Sequence, residues 1–505
     1  MFGLFSPRCP LNIREKTWVE LRMKWLVDRL GFDRLQSVDV ITPSDKHFPD
    51  SYSGSDQEVE HIFGRVCDQM GVPRESVELA LFDGSRHSPY IDDNRGTPLG
   101  LYEQRTAEAQ RHTVWIERTQ TPDLVRVIAT AAHELAHCIL LGDGLLTDSE
   151  ADHEFVTDLL PVVRGLGVFA ANATLIEESY QLMRGSWRTV SKAGYLPSRM
   201  FGYALAVFAW LRDEPQPIWA RYLRGDPHSV FKSSLRYLRK TNDCVCRSPA
   251  GVGCEIPRTL HSRLTSEIPG ITLGALWELR RPDPSKLTED DWEAVVACLD
   301  GHEPVLVCET ALAIAALRRS DAGVASKCLD LLVNFGSDSD VLAAGALALS
   351  TQKEAFVPQT AAMETTIDEL LKLLKNESQR VVISSLTALK HLEPNLDFFG
   401  LREIIRVFRL GLVKCDHLLV MHVANTLHAV CESARDEVQN AFADDPELRS
   451  HAYAALSAEI EEESLITARL PTSASLPVPL LDWRPRPLRL PDDPEPVPGT
   501  EDAAP

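Results

Sequence analysis

Residues 130–142 read TAAHELAHCILLG, with His133, Glu134 and His137 in the order His-Glu-x-x-His. On a helix, positions i and i+4 share a face, about 40° apart by the 3.6-residue period. His133 and His137 can therefore point at one ion. Glu134 sits about 100° round, where it can reach a water polarised by that ion without being a ligand. Zinc lowers the pKa of such a water toward neutrality, and a glutamate so placed takes its proton as general base. The bland alternative is three ordinary residues on a polar helix face. With 15 histidines in 505 residues, a chance match to this pattern arises in roughly a few per cent of chains.

The flanks favour the metal. The preceding LVRVIATAA is apolar and small, so the motif is expected to be buried or half-buried. Burying such polar groups without partners costs several kcal/mol, and an ion supplies the partner. Thr121 is a good N-cap, Pro122 suits the first helical position, Asp123 favours the positive end of the helix, and Gly142 offers a stop. HTVWIER (112–118) reads as a strand entering this helix. A polar turn, GDGLLTDSE, follows it, and Asp148 or Ser149 can cap a second helix through ADHEFVTDLLPVVRGLG. Pro161 is expected to bend that helix, and Gly165 and Gly167 to end it.

The second helix carries Glu154-Phe-Val-Thr-Asp158, seventeen positions after His137. HExxH followed one helix later by ExxxD resembles the gluzincin class of zinc peptidases. The resemblance covers about forty residues, 121–160. It implies that His133, His137 and Glu154 bind zinc, that Glu134 is the base, and that Asp158 orients a ligand histidine. It also implies a substrate-binding strand just before the motif helix. The linker here is short, so the two helices must pack closely. Asp148, Glu150, Asp152 and His153 crowd the same region, and Asp158 and His153 are the main rivals to Glu154 as third ligand. The metzincin extension is absent, because HCILLG does not fit it. Tyr195 and Tyr203 are candidates for stabilising a transition state, though an aromatic in an apolar helix is more often core. HELAH, VTDLL and GLGVFAAN (165–172) are also similar to stretches of uncharacterised bacterial cytoplasmic proteins, which implies a shared domain through about 240.

Outward from the motif, NIREKTWVELRMKWLVDRLG (12–31) predicts an amphipathic helix closed by Gly31, and SDQEVEHIFGRVCDQMGV (55–72) another closed by Gly71. VELALFD (77–83) reads as a strand. Residues 1–240 are thus expected to be an α+β, zincin-like domain. Residues 241–286 read as a Cys-bearing loop and linker. There Cys244, Cys246 and Cys254 could hold zinc or an iron–sulfur cluster, but they lack C-x2-C knuckles and a fourth ligand; free or redox-active thiols are the plainer reading. From 287 the texture changes. VLVCETALAIAAL (305–317), VLAAGALAL (341–349), VVISSLTAL (381–389) and LVMHVANTL (419–427) begin 36, 40 and 38 residues apart. The last three follow leucine-rich helices, a period that predicts HEAT-like helical repeats over 287–465. Ten of the 32 prolines lie between Pro471 and Pro505, so 466–505 is expected to be a disordered tail. The fold class expected is mainly α, a zincin-like α+β domain followed by an α-solenoid.

The formal net charge of −21 argues against a nucleic-acid surface, although it leaves room for a local basic patch. No uninterrupted apolar run of about 18 residues is evident, FGYALAVFAWL (201–211) being the nearest, so no membrane span is expected. The N-terminus lacks the features of a signal peptide. Cys138, Cys298, Cys308, Cys328 and Cys431 sit in helical apolar patterns, as reduced thiols do, which points to the cytoplasm. Two functions fit these features. One is zinc-dependent hydrolysis of a protein or peptide, with the repeats recruiting a protein partner. The other is a non-catalytic scaffold in which the repeats carry the function.

Overall fold

The computed structural model describes residues 7–48, 52–83, 100–103, 111–174, 196–251, 253–280, 287–335, 338–357 and 360–457. Tyr195, the charge run 459–463 and the Pro-rich segment 466–505 lie outside the described residues. The fold is mainly helical, with one small three-stranded sheet. Two compact units divide between Glu255 and Ile256.

In the first unit, α1 (Ile13–Leu30) starts at Asn12, whose side chain accepts the Glu15 N–H, and ends at Gly31 with φ 91°. A short α2 (Phe32–Ser37) follows, then α3 (Asp56–Met70), which begins with a reciprocal cap between Ser55 and Glu58 and stops at left-handed Gly71. Strands β1 (Val77–Phe82), β2 (Gly100–Glu103) and β3 (His112–Glu117) pair in the order β1-β3-β2. β3 runs parallel to β1 and antiparallel to β2. The strand next to the motif helix is therefore the centre of the sheet, and β2 is its edge.

Helix α4 (Leu124–His137) packs against α3, β2, β3 and α5 (His153–Val163). Its cap differs from expectation. Asp123, not Thr121, is the N-cap, because its carboxylate accepts both the Val125 and Arg126 N–H groups, while the Thr121 hydroxyl donates to the Arg118 carbonyl. The helix widens into a π turn over Cys138–Gly142. With that turn it is long and apolar enough to cross a membrane by length and composition, unlike the expectation that no stretch qualified. It is nevertheless a core helix, with Ala131, Ala132, Leu135, Ala136 and Leu140 all buried. Helix α5 also starts later than expected, at His153. Its N-cap Asp152 makes no capping bond because its carboxylate is taken by other partners, described below.

Helical residues 167–174 form α6, followed by α7 (Ser198–Leu211) and α8 (Gly225–Thr241). Part of the polar face of α1 is buried, which its amphipathic pattern alone does not reveal. Arg22 and Asp152 are both 0% exposed, and Arg22 donates to Asp152 through Nε at 2.8 Å and Nη2 at 2.6 Å. Trp18 Nε1 donates to the same carboxylate at 3.0 Å. Lys16 contacts Glu20 and Asp243 at 3.1 Å each, and Glu20 also accepts the Tyr203 hydroxyl and, at 3.1 Å, the Val245 N–H.

The expected linker 241–286 is not a linker. Its first part belongs to the first unit through these contacts, and the second unit opens with α9 (Leu260–Leu264) and α10 (Pro269–Leu279), Pro269 sitting in the first turn where no N–H is needed. Next come α11 (Glu289–Ala297), α12 (Pro304–Leu317), α13 (Ala322–Asn334), α14 (Ser339–Leu349), α15 (Ala361–Leu373), α16 (Gln379–Leu392), α17 (Phe398–Val413), α18 (His417–Val430), α19 (Ala434–Ala441) and α20 (Pro446–Ser457). The four similar apolar stretches are α12, α14, α16 and α18. Each packs on the next, while α13, α15 and α17 form a second row. One hydrophobic core runs from Leu264 to Leu456.

Candidate metal centre

The i, i+4 spacing on α4 brings His133 and His137 together, with ring centroids 4.9 Å apart. From α5, Glu154 Oε2 lies 3.3 Å from His133 Nε2 and 3.5 Å from His137 Nε2. The three donor atoms fall within 4.8 Å of one another, the only such His/Cys/Asp/Glu group among the described residues, and they could hold a metal ion.

Each imidazole is oriented from behind. His133 Nδ1 is 2.8 Å from Asp158 Oδ1, and Asp158 Oδ2 accepts the Leu196 N–H at 2.6 Å. Thr157 Oγ1 donates to the His153 carbonyl at 2.9 Å and lies 3.4 Å from His137 Nδ1, so it can accept from that ring. Both Nδ1 atoms then carry the proton in the neutral rings, and both Nε2 lone pairs face Glu154. Thr157 had no signal of its own in the sequence beyond lying between Glu154 and Asp158.

The rivals separate by geometry. Asp152 is committed to Arg22 and Trp18, Glu150 lies 3.5 Å from Arg22, and Asp148 is exposed. His153 holds Glu154 Oε1 at 3.2 Å through Nε2, and its Nδ1 contacts the Glu150 carbonyl, so it steadies the carboxylate from the far side. Tyr203 lies in the core on Glu20, away from the group. Cys244 and Cys246 are buried and Cys246 Sγ donates to the Glu20 carbonyl at 3.2 Å; with Cys254 they form no three-ligand cluster.

No family model matches the chain, and no curated protein matches it. Burial opposes charge on His133, yet the Asp158 hydrogen bond and charge, aided by Glu154 and Glu134, raise its pKa well above an ordinary imidazole. Burial also acts against Glu154, but hydrogen bonds from His133, His137 and His153 drive its pKa far below the usual carboxylate range. Burial raises the pKa of Glu134 and of Asp158. Three carboxylates share this half-buried space, and a proton on His133 offsets part of their charge. A cation would offset it better.

Glu134 is 5% exposed and points toward the sheet. A Cβ on Gly100 would lie 2.5 Å from Glu134 Oε1, so the edge strand passes directly over this carboxylate. Two residues on adjacent strands complete the wall. Tyr102 stacks on His137 at 5.7 Å and its hydroxyl meets His112 Nδ1 at 2.8 Å. Gly142, in the π turn, lets both approach: a Cβ there would sit 3.1 Å from the His112 ring. Sequence reasoning missed Gly100, Tyr102 and His112, since a four-residue strand and an isolated Tyr carry no motif. A small pocket, partly open to solvent, runs beside the group and is lined by His133, Glu134, Asp158, Arg126, Gln120 and Thr130.

Proposed function

We propose that the first unit is a zinc-dependent peptidase of gluzincin type acting on a cytoplasmic protein or peptide. The observation that carries this reading is the convergence of His133 Nε2, His137 Nε2 and Glu154 Oε2 beside a buried Glu134. A tetrahedron with bonds of about 2.1 Å has edges of about 3.4 Å, which matches the two nitrogen-to-oxygen separations. A mixed N/N/O donor set suits zinc better than calcium or magnesium, which favour oxygen.

Zinc held there would supply a Lewis acid that polarises a scissile carbonyl and acidifies a water. The residues do the rest. Glu134 takes the proton of the attacking water and returns it to the leaving amine. Its burial raises its pKa, which suits a group that must pick up and release one proton. Asp158 and Thr157 hold the two imidazoles in the tautomer that leaves Nε2 free. The edge of β2, over Glu134, offers backbone groups along which an extended peptide can lie as an added strand. Tyr102, held by His112, presents its hydroxyl at the same wall.

The second unit is read as a HEAT-like α-solenoid that recruits a protein partner, supported by the two alternating rows of helices. The exposed Phe398, Phe399, Leu410 and Val413 on α17 favour a second reading, in which binding by this unit is the protein's function and the metal group is structural. Metal content and peptide cleavage measured on wild type, His133→Ala and Glu134→Gln separate the two. The peptidase reading expects about one zinc in wild type and in Glu134→Gln, none in His133→Ala, and cleavage by wild type alone. Wild type that holds zinc but cleaves no member of a diverse peptide library would overturn it.

A further inference from the structure

We propose that the outward face of α8 docks an acidic, extended segment of a protein partner, at a place separate from the metal centre. The argument begins with charge. The chain carries 73 Asp and Glu against 52 Lys and Arg, yet α8 reverses this locally. Lys232, Arg236, Arg239 and Lys240 fall at spacings of four, three and one, which is one helical stripe. Asp226, in the first turn, is the only acidic residue of the helix.

All four cations are exposed, and none makes an ion pair with a described residue. Several other basic side chains of this unit do have one: Lys16, Arg22, Arg74, Arg118 and Arg212 all meet a carboxylate. The stripe has no packing duty either. The buried face of α8 is Phe231, Ser234, Leu235 and Leu238, turned toward α7. Interaction with the negative end of the helix accounts for Arg239 and Lys240 in the last turn, but not for Lys232 and Arg236 before it.

A second observation lies at the end of the stripe. Arg239 lines a pocket with Asn242, Ser248 and Trp210, where left-handed Asn242 ends the helix. Ser248 is 8% exposed, so the pocket has a polar floor beside a free cation. Asp213 lines its other side, which makes it a poor seat for a bare anion but a good one for a side chain carrying both donor and acceptor.

The size of the stripe selects the occupant. From Lys232 to Lys240 is on the order of 12 Å of helix, about four residues of extended peptide. Nucleic-acid binding of this electrostatic kind rests on roughly six to ten phosphate contacts, more than the stripe offers, and the net negative chain around it repels a dense polyanion. A short run of Asp or Glu fits both the length and the charge.

The test uses the full-length protein and a fluorescein-labelled decapeptide of glutamate, read by anisotropy. Binding is expected at about 50 mM salt, and should weaken steeply by about 300 mM, as screening requires. Combining Lys232→Glu, Arg236→Glu and Lys240→Glu should weaken binding by about tenfold or more, with zinc content unchanged. The combined Gln replacements, which are milder to fold, should fall between. Equal binding by wild type and the Glu variant overturns the proposal. So does tighter, stripe-dependent binding of single-stranded RNA or of phosphatidylserine vesicles than of the peptide. Failure of the metal centre would leave these outcomes unaffected.

Discussion

Asp158 grips His133 from behind, with Oδ1 2.8 Å from Nδ1, while its second oxygen is tied to the Leu196 backbone. Replacing it with Asn keeps the shape but can present a donor to a ring nitrogen that must itself donate. Asp158→Asn is expected to lower zinc affinity by about 10- to 100-fold, measured by competition with a chelator, while the helical circular dichroism is retained.

Gly100 faces Glu134 across a gap that no side chain fits. A methyl there would meet Glu134 Oε1 at 2.5 Å and Thr130 Cγ2 at 2.6 Å. Gly100→Ala should push the carboxylate aside, reducing peptide cleavage by about tenfold or more at unchanged zinc content. Its effect on stability should be modest, about 1 kcal/mol. Full activity in this variant would show that Glu134 does not need its present position.

If His133 is a metal ligand as proposed, protons and metal compete for it. Its pKa is raised in the folded, metal-free protein, so the stability this gives is complete below the ordinary imidazole value and is lost as pH climbs through the raised one. On the proposed reading zinc would take the same Nε2, so its affinity should rise with pH, by about tenfold per unit while one proton is displaced. The gap in melting temperature between zinc-loaded and chelator-treated protein should therefore widen from about pH 6 to about pH 8. A gap that narrows over this range would contradict the assignment of His133 as ligand.

Arg22 and Asp152 are a fully buried pair that fixes the start of α5, two residues before Glu154. Arg22→Met alone strands the Asp152 charge and should cost about 3–5 kcal/mol in denaturant unfolding. Arg22→Met with Asp152→Leu should recover a large part of that. If the double variant is as unstable as the single one, the pair is not the source of the effect.

Much of this was legible in the sequence where the cause is local. The Gly31 and Gly71 stops and the apolar pattern within each of α12, α14, α16 and α18 all act within a few residues. The meeting of His133 and His137 was legible from their helical spacing, whereas Glu154 and Asp158 were singled out only by the resemblance that HExxH followed by ExxxD carries, with His153 left as a rival. What escaped was non-local. Lys16, Glu20 and Arg22 look like a solvated helix face until Asp243, Val245 and Asp152 are known to cover them. Tyr102 and His112 reach the site only because β2 pairs with β3. The cap of α4 lies two residues later than expected because the helix begins at Leu124 and the Asp123 carboxylate accepts the Val125 and Arg126 N–H groups.

The buried charges of α1 also set an order of events on the ribosome. The helix is made first, yet its partners lie 130 positions downstream for Arg22 and 227 for Lys16. Without those residues, the buried charges of α1 lack the partners they have in the folded unit. A chain stopped at residue 240 would lack Asp243 and Val245 and leave Lys16 and Glu20 short of partners. One stopped at residue 255 would carry the set. The charges of α1 are thus fully partnered only once the stretch from Asp243 to Val245 is in place.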